Sequence, residues 1–175
     1  MTHISTLGAG IFTYLDFYHG ATAAASEDAA GHAALFVAGN SSDITRMPSV
    51  REFPSVGTPA NIVNVPVYGQ NSSSQVQGQA DAPSLEVTIN YVPSDMVAIH
   101  ALVGTSGTFR FMMTASACTP AIGLGATLAI DNTEFYFVGK IEAILVNPAL
   151  TDATTATVTL STQSDFFGPA TVAAA

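Results

Sequence analysis

In Ser84-Leu-Glu-Val-Thr-Ile-Asn-Tyr-Val every second side chain is apolar: Leu85, Val87, Ile89 and Tyr91 alternate with Glu86, Thr88 and Asn90. Successive strand side chains point to opposite faces, so a period of two describes a half-buried strand. Four further strand-like runs follow, over Thr108–Ala117, Ala121–Ile130, Glu134–Val146 and Thr154–Ser164. The links between them, Cys118-Thr-Pro, Asp131-Asn-Thr and Asn147-Pro-Ala-Leu-Thr-Asp, are turn chemistry. Strands joined by turns this short make an antiparallel meander, because parallel strands need long crossovers. In the last run Ala156, Val158 and Leu160 oppose Thr155, Thr157, Thr159 and Ser161, giving one apolar face and one hydroxylated, uncharged face. The run Glu134–Val146 is apolar in both registers, broken by Lys140 and Glu142, and needs cover on both sides, from its own chain or another subunit.

Upstream the pattern is looser. Ile11–Tyr18 reads as a strand, and Ala21–Ala34 as either a short helix or a loop. The stretch from Asn40 to Ala82 reads as a long extended loop carrying one strand, Asn61–Tyr68, whose Pro66 removes a ladder donor and places it at a sheet edge or strand end. Pro93-Ser94-Asp95 offers a turn and a cap for a short apolar helix, Met96–Val103, closed by Gly104 and Gly107. The whole is expected to be one domain of 175 residues: an N-terminal segment over 1–39, the long loop over 40–82, a strand–helix–strand meander over 83–165 and a tail over 166–175.

Only 10% of residues are charged, against about 25% usually. Four Lys and Arg face 13 Asp and Glu, for a net charge of −9. The basic footprint of a nucleic-acid binder is absent, and scarce charge fits surface lying against other copies of the chain. No cationic stretch opens the chain, which argues against a secretory signal. Phe111–Ile130 is uncharged over about 20 residues, the length that spans a bilayer. Pro120, Gly123 and Gly125 punctuate it as two strands and a turn, so no membrane partner is expected.

Chemistry-bearing groups are sparse. Cys118 is the sole cysteine, which excludes an intrachain disulfide and a multi-thiolate metal site, and no basic neighbour would activate it as a nucleophile. His3, His19, His32 and His100 include no i, i+4 pair. His19 and His32, with Glu27 and Asp28, read as solvated loop groups, and His100 as a helix residue in apolar company. Ser106 lacks a strand-to-helix elbow, and Gly8-Ala-Gly10 and Gly123-Leu-Gly125 lack the rest of a dinucleotide fingerprint. The expectation is a protein that is not an enzyme and takes no cofactor or metal.

Two stretches, Val56-Gly-Thr-Pro-Ala-Asn-Ile-Val-Asn-Val-Pro-Val-Tyr-Gly-Gln and Gln75-Val-Gln-Gly-Gln-Ala-Asp-Ala-Pro-Ser-Leu-Glu-Val-Thr-Ile-Asn-Tyr-Val-Pro, resemble the major tail tube proteins of long-tailed bacteriophages. The similarity extends through the helix to Phe135-Tyr-Phe-Val-Gly-Lys and Thr154-Thr-Ala-Thr-Val-Thr-Leu. It implies a mainly β, antiparallel sandwich or barrel-like tail tube fold with one short helix and a long extended loop. It also implies hexameric rings stacked into a tube around a tape measure protein, and tail terminator and distal tail proteins as further partners. Genomic DNA would pass through without specific binding, and the protein would reside in the virion tail after assembly in the host bacterial cytoplasm. On that reading Gly57, Pro59, Asn61, Pro66, Asn71 and Gly78 belong to an assembly loop and edge strand. Glu86, Glu134, Glu142 and Asp152 are candidate lumen acids, and Arg46, Arg51, Arg110 and Lys140 candidate cations between subunits. The alternative is another virion or surface β-module, such as a capsid decoration or carbohydrate-binding protein.

Overall fold

The computed structural model describes residues 3, 12–57, 62–69, 72–78, 84–116 and 131–171. Its strands are β1 (Thr13–Tyr18), β2 (Ile44–Arg46), β3 (Val50–Glu52), β4 (Ile62–Val65), β5 (Ser74–Gln77), β6 (Ser84–Asn90), β7 (Ser106–Thr114), β8 (Asn132–Asn147), β9 (Thr155–Thr162) and β10 (Phe167–Ala170). The described residues include two α-helices, α1 (Ala29–Ala33) and α2 (Pro93–Ala101). The expected strand Ala121–Ile130 lies outside the described residues.

The main sheet is antiparallel and runs β2-β1-β7-β8-β9-β6-β3, with β10 beside the first half of β8. Its two edge strands, β2 and β3, are separated in sequence by Met47, Pro48 and Ser49 alone. Seven flat strands at ~4.8 Å spacing would set those edges about 29 Å apart. From Arg46 to Val50 there are four Cα–Cα steps, which reach at most ~15 Å. The sheet must therefore curl until its edges nearly meet, and of the two expected arrangements the barrel-like one describes it.

The concave face holds the core. Leu15 and Phe17 from β1 join Leu85, Val87 and Ile89 from β6, although three strands separate them along the sheet. Register explains the centre of the cluster: Phe17 pairs with Phe109 and Phe109 with Phe137, and the rings stack at 4.4 and 5.0 Å. Each fully buried aromatic or aliphatic side chain contributes about 1.5–3 kcal/mol through water removed from its surface. Met96 and Ile99 of α2 close this core. The helix begins at Pro93, earlier than the expected Met96, because proline lacks only a donor that the first helical turn leaves unused.

The two-sided apolarity of β8 is resolved within the chain. Phe137 and Ile141 face the concave core, while Tyr136 faces outward into a second cluster with Tyr18, Leu35, Phe36 and Ile44. That cover comes from residues 19–43, the connection between β1 and β2. It contains α1, capped where Asp28 accepts a 2.7 Å hydrogen bond from the Gly31 N–H, and a 3-10 turn over Ala38–Asp43. The stretch 40–82, expected to be a loop with one strand, instead contributes β2 and β3 to the main sheet and pairs β4 with β5 in a separate hairpin.

Candidate assembly surfaces and a buried charge row

The convex face of the sheet divides in two. Over β2, β1, β7 and the first half of β8 it lies beneath residues 19–43. Over the second half of β8, β9 and β6 it is open.

The covered half carries charge. Register sets Asp16 opposite Arg46 on one side and Arg110 on the other, and Arg110 opposite Tyr136. Arg46 reaches Asp16 with Nε at 2.6 Å and Nη2 at 3.1 Å, and Arg110 donates to Asp16 Oδ2 from Nη2 at 2.6 Å and Nε at 3.2 Å. Tyr136 donates to Glu134 Oε2, and Glu134 Oε1 stands 3.9 Å from Arg110 Nη1. Asp16, Arg110 and Glu134 are all buried. Burial pushes the Glu134 carboxyl above its ordinary pKa against the opposing pull of Arg110, and burial beside that carboxylate pushes the Tyr136 phenol far up. Phe36 lies 4.6 Å beneath the Arg110 guanidinium and Tyr14 4.4 Å from that of Arg46, so aromatic faces complete the enclosure.

This corrects three of the expected surface roles. Glu134 is inside the subunit, so it cannot line a lumen. Arg110 is spent on Asp16 within its own chain, and so is Arg46. A charged residue set between aromatics in a strand, as in Phe109-Arg110-Phe111, is the signal that marks such a buried pair.

The open half is polar and hydroxylated. Paired residues point to the same side, so Ser84, Glu86, Thr88 and Asn90 of β6 share a face with Ser161, Thr159, Thr157 and Thr155 of β9. Lys140, Ala143, Leu145 and Asn147 of β8 extend that face. A bulge between Ile141 and Ala143 sets Glu142 there too, where it accepts from Ser161 Oγ at 2.7 Å and Lys140 Nζ at 3.0 Å. Those two hydrogen bonds, the Ser161 bond foremost, hold its pKa below the ordinary carboxylate value. The structure thus brings Glu86, Glu142 and Lys140 onto one surface, with Asp152 exposed in the β8–β9 connection. Lys140 pairs within its own chain, and Arg51 on β3 is exposed with no ion pair among the described residues.

Two surfaces invite another chain. Pairing of β7 with β8 ends at Ser106↔Lys140, and from Glu142 to Asn147 that edge of β8 has no described strand against it, with Leu145 60% exposed. The β4–β5 hairpin projects Val63 and Val76 as a cross-strand pair, 48% and 52% exposed, with Val65 and Val67 nearby. Pro66 follows β4 directly and is exposed, and Gly78 follows β5, half-buried. Gly57 has φ +148°, a conformation other residues rarely adopt. Pro59, Asn61 and Asn71 lie outside the described residues.

Among the described residues no cluster of three or more His, Cys, Asp or Glu could hold a metal, and no helix is long and apolar enough to cross a membrane.

No family model matches the sequence, and no curated protein matches it. Solved structures do match the fold. One is a chain of the anti-feeding prophage baseplate, a cryo-EM structure with six-fold symmetry imposed, at TM-score 0.56 and 10% identity over 94% of this chain and 98% of that one. Another is the SPP1 tail tube, determined by solid-state NMR and cryo-EM, at TM-score 0.55 and 14% identity over 91% of this chain and 78% of that one. The protein has the fold of tail tube proteins: mainly β, with a curled antiparallel sheet.

Proposed function

We propose that this chain is a structural subunit of a phage-type tail, assembling through six-membered rings into a hollow tube that conducts DNA. The observation that carries the reading is the fold shared with the SPP1 tail tube over 91% of the chain. The six-fold baseplate neighbour supports six as the ring number. Three surfaces on the subunit suit the task. The open β8 edge offers backbone hydrogen bonds to a neighbour in the ring. The hairpin, in an uncharged stretch from Phe53 to Ala80, offers apolar contact with the next ring. The hydroxyl-rich face of β6, β9 and β8 carries Glu86 and Glu142 against Lys140 alone and would face the lumen, where neutral and acidic groups let a polyanion pass without holding it.

A tape measure protein inside the tube, and terminator and distal tail proteins at its ends, are the further partners of this reading, with the virion tail as location. A second reading, a ring in a baseplate, is favoured by the likeness to the anti-feeding prophage baseplate. Negative-stain electron microscopy of the purified protein separates the two. Long tubes with a central hole support the tube subunit, and single rings that never lengthen support the baseplate. A monomer that persists at high concentration refutes both.

A further inference from the structure

The covering segment 19–43 has an unusual attachment. Its two ends meet at the last pair of β1 and β2, Tyr18↔Ile44, and are fastened there by the His19 N–H donating to the Asp43 carbonyl at 2.9 Å. It is therefore a flap hinged on one side, and lifting it breaks no strand of the sheet.

On its underside sits His32, 3% exposed, with neither ring nitrogen hydrogen-bonded among the described residues. The ring stacks on Phe167 of β10 at 4.8 Å and lies 6.4 Å from Tyr136 of β8. An open cavity of about 670 Å³ runs alongside, lined by His32 together with Tyr18, Glu27, Thr108, Asp165 and Phe167. Buried polar atoms without a partner cost free energy even when neutral, and an imidazolium there would have two donors and no acceptor among the described residues.

We propose that residues 19–43 form a pH-sensitive latch, closed over the charge row while His32 is neutral and released when the ring takes up a proton. The groups around the ring give the latch its direction. On its own element Asp28 and Glu27 draw a proton toward it, but Asp28 is already engaged as the helix cap. From β8 it meets the Tyr136 phenol, whose hydroxyl is turned to Glu134, and from β7 Arg110 lies across Phe36 with its charge directed to Asp16. Asp165 faces the shared cavity from the β9–β10 link. None of these accepts a hydrogen bond from the closed ring, and the net result of burial is a pKa held below the ordinary histidine value. A group whose folded pKa is lowered stabilises the closed form fully above its free value of about 6.5 and loses that contribution as pH falls below it. Between pH 7.5 and pH 5.0 the opening constant therefore rises, by at most a factor of about 30, the limit set by 1.5 units below a free value of ~6.5 when the closed ring takes up no proton at all. Release would uncover Phe36, Tyr136 and the Asp16–Arg110 pair on a face otherwise closed. The proposal is independent of whether the chain builds tubes.

Hydrogen exchange tests it. Amide exchange of Leu35 and Phe36, normalised to intrinsic rates, is followed from pH 7.5 to 5.0 in the wild-type protein and in His32→Phe, which keeps the ring stack and cannot titrate. A gain in the wild type of up to about thirtyfold, absent in His32→Phe, with β7 and β9 amides unchanged, supports the latch. An equal gain in both proteins, no gain in the wild type, or a gain spread over β7 and β9 overturns it. If His32→Phe does not fold, NMR titration of the His32 ring in the wild type decides: a midpoint below about 6.5 supports the latch, and one at or above it overturns it.

Discussion

Replacing Asp16 by asparagine tests the charge row at its centre. Asp16 is the acceptor for both guanidinium groups, so Asp16→Asn leaves Arg46 and Arg110 facing a neutral amide, with Glu134 3.9 Å from Arg110 as the remaining carboxylate. Breaking a buried ion pair by removing one partner costs about 3–5 kcal/mol. In a chain of this size each kcal/mol corresponds to ~2–4 °C, so the midpoint should fall by roughly 6–20 °C. Arg110→Met should cost less. It leaves Asp16 doubly bonded to Arg46, which is near enough to the surface to share solvent, and the stranded Glu134 can take up a proton, as its raised pKa already favours. In Asp16→Asn/Arg110→Met the cost should fall short of the sum of the single changes by about 1–3 kcal/mol, the coupling expected of groups in one network. The assays are thermal and urea unfolding of unassembled protein at pH 7, since copies bound in a tube would add stability of their own. A cost below ~1 kcal/mol for Asp16→Asn, or equal costs for the two single variants, would refute the assignment of Asp16 as the hub.

Two further outcomes follow from the exposed surfaces. Val63→Asp/Val76→Asp puts like charges on a cross-strand pair that touches solvent; tube length by microscopy should collapse while the unfolding free energy changes by less than about 0.5 kcal/mol, and normal tubes would remove the hairpin from the interface. Glu86→Lys/Glu142→Lys reverses the hydroxyl-rich face; tubes should form and retain labelled DNA in sedimentation, with retention lost as salt rises, whereas tubes that ignore DNA would place that face away from the lumen.

How much could be read in advance depended on whether a strand had a wet side. Strands β6 and β9 were legible because one face is buried and the other polar, so Leu85, Val87 and Ile89, or Ala156, Val158 and Leu160, stand out by period alone. β5 was not legible: Ser74, Gln75 and Val76 are exposed in the subunit, and an exposed strand needs no pattern. For β8 the doubled apolar register showed that two layers must cover it, but not that residues 19–43 supply the second. The charge row was the least accessible. Asp16 finds Arg46 across 30 residues and Arg110 across 94, and only pairing register brings those three into line. His32 was misplaced for the same reason: a histidine among alanines looks solvated until Phe167 is folded onto it.

The closure of the sheet also governs when the chain can fold. β1 and β2 leave the ribosome early, yet the other side of β1 is β7, and Asp16 waits 94 residues for Arg110. β3 joins the sheet through β6, and β6 through β9, near the far end of the chain. Non-local strand pairing of this kind is slow, because the loops must close before any contact repays them. Until β9 arrives, the nascent chain carries open edges and apolar strands, the features that draw unfinished copies together. For the assembly proposed above, each copy must finish its own sheet before its open β8 edge finds a neighbour.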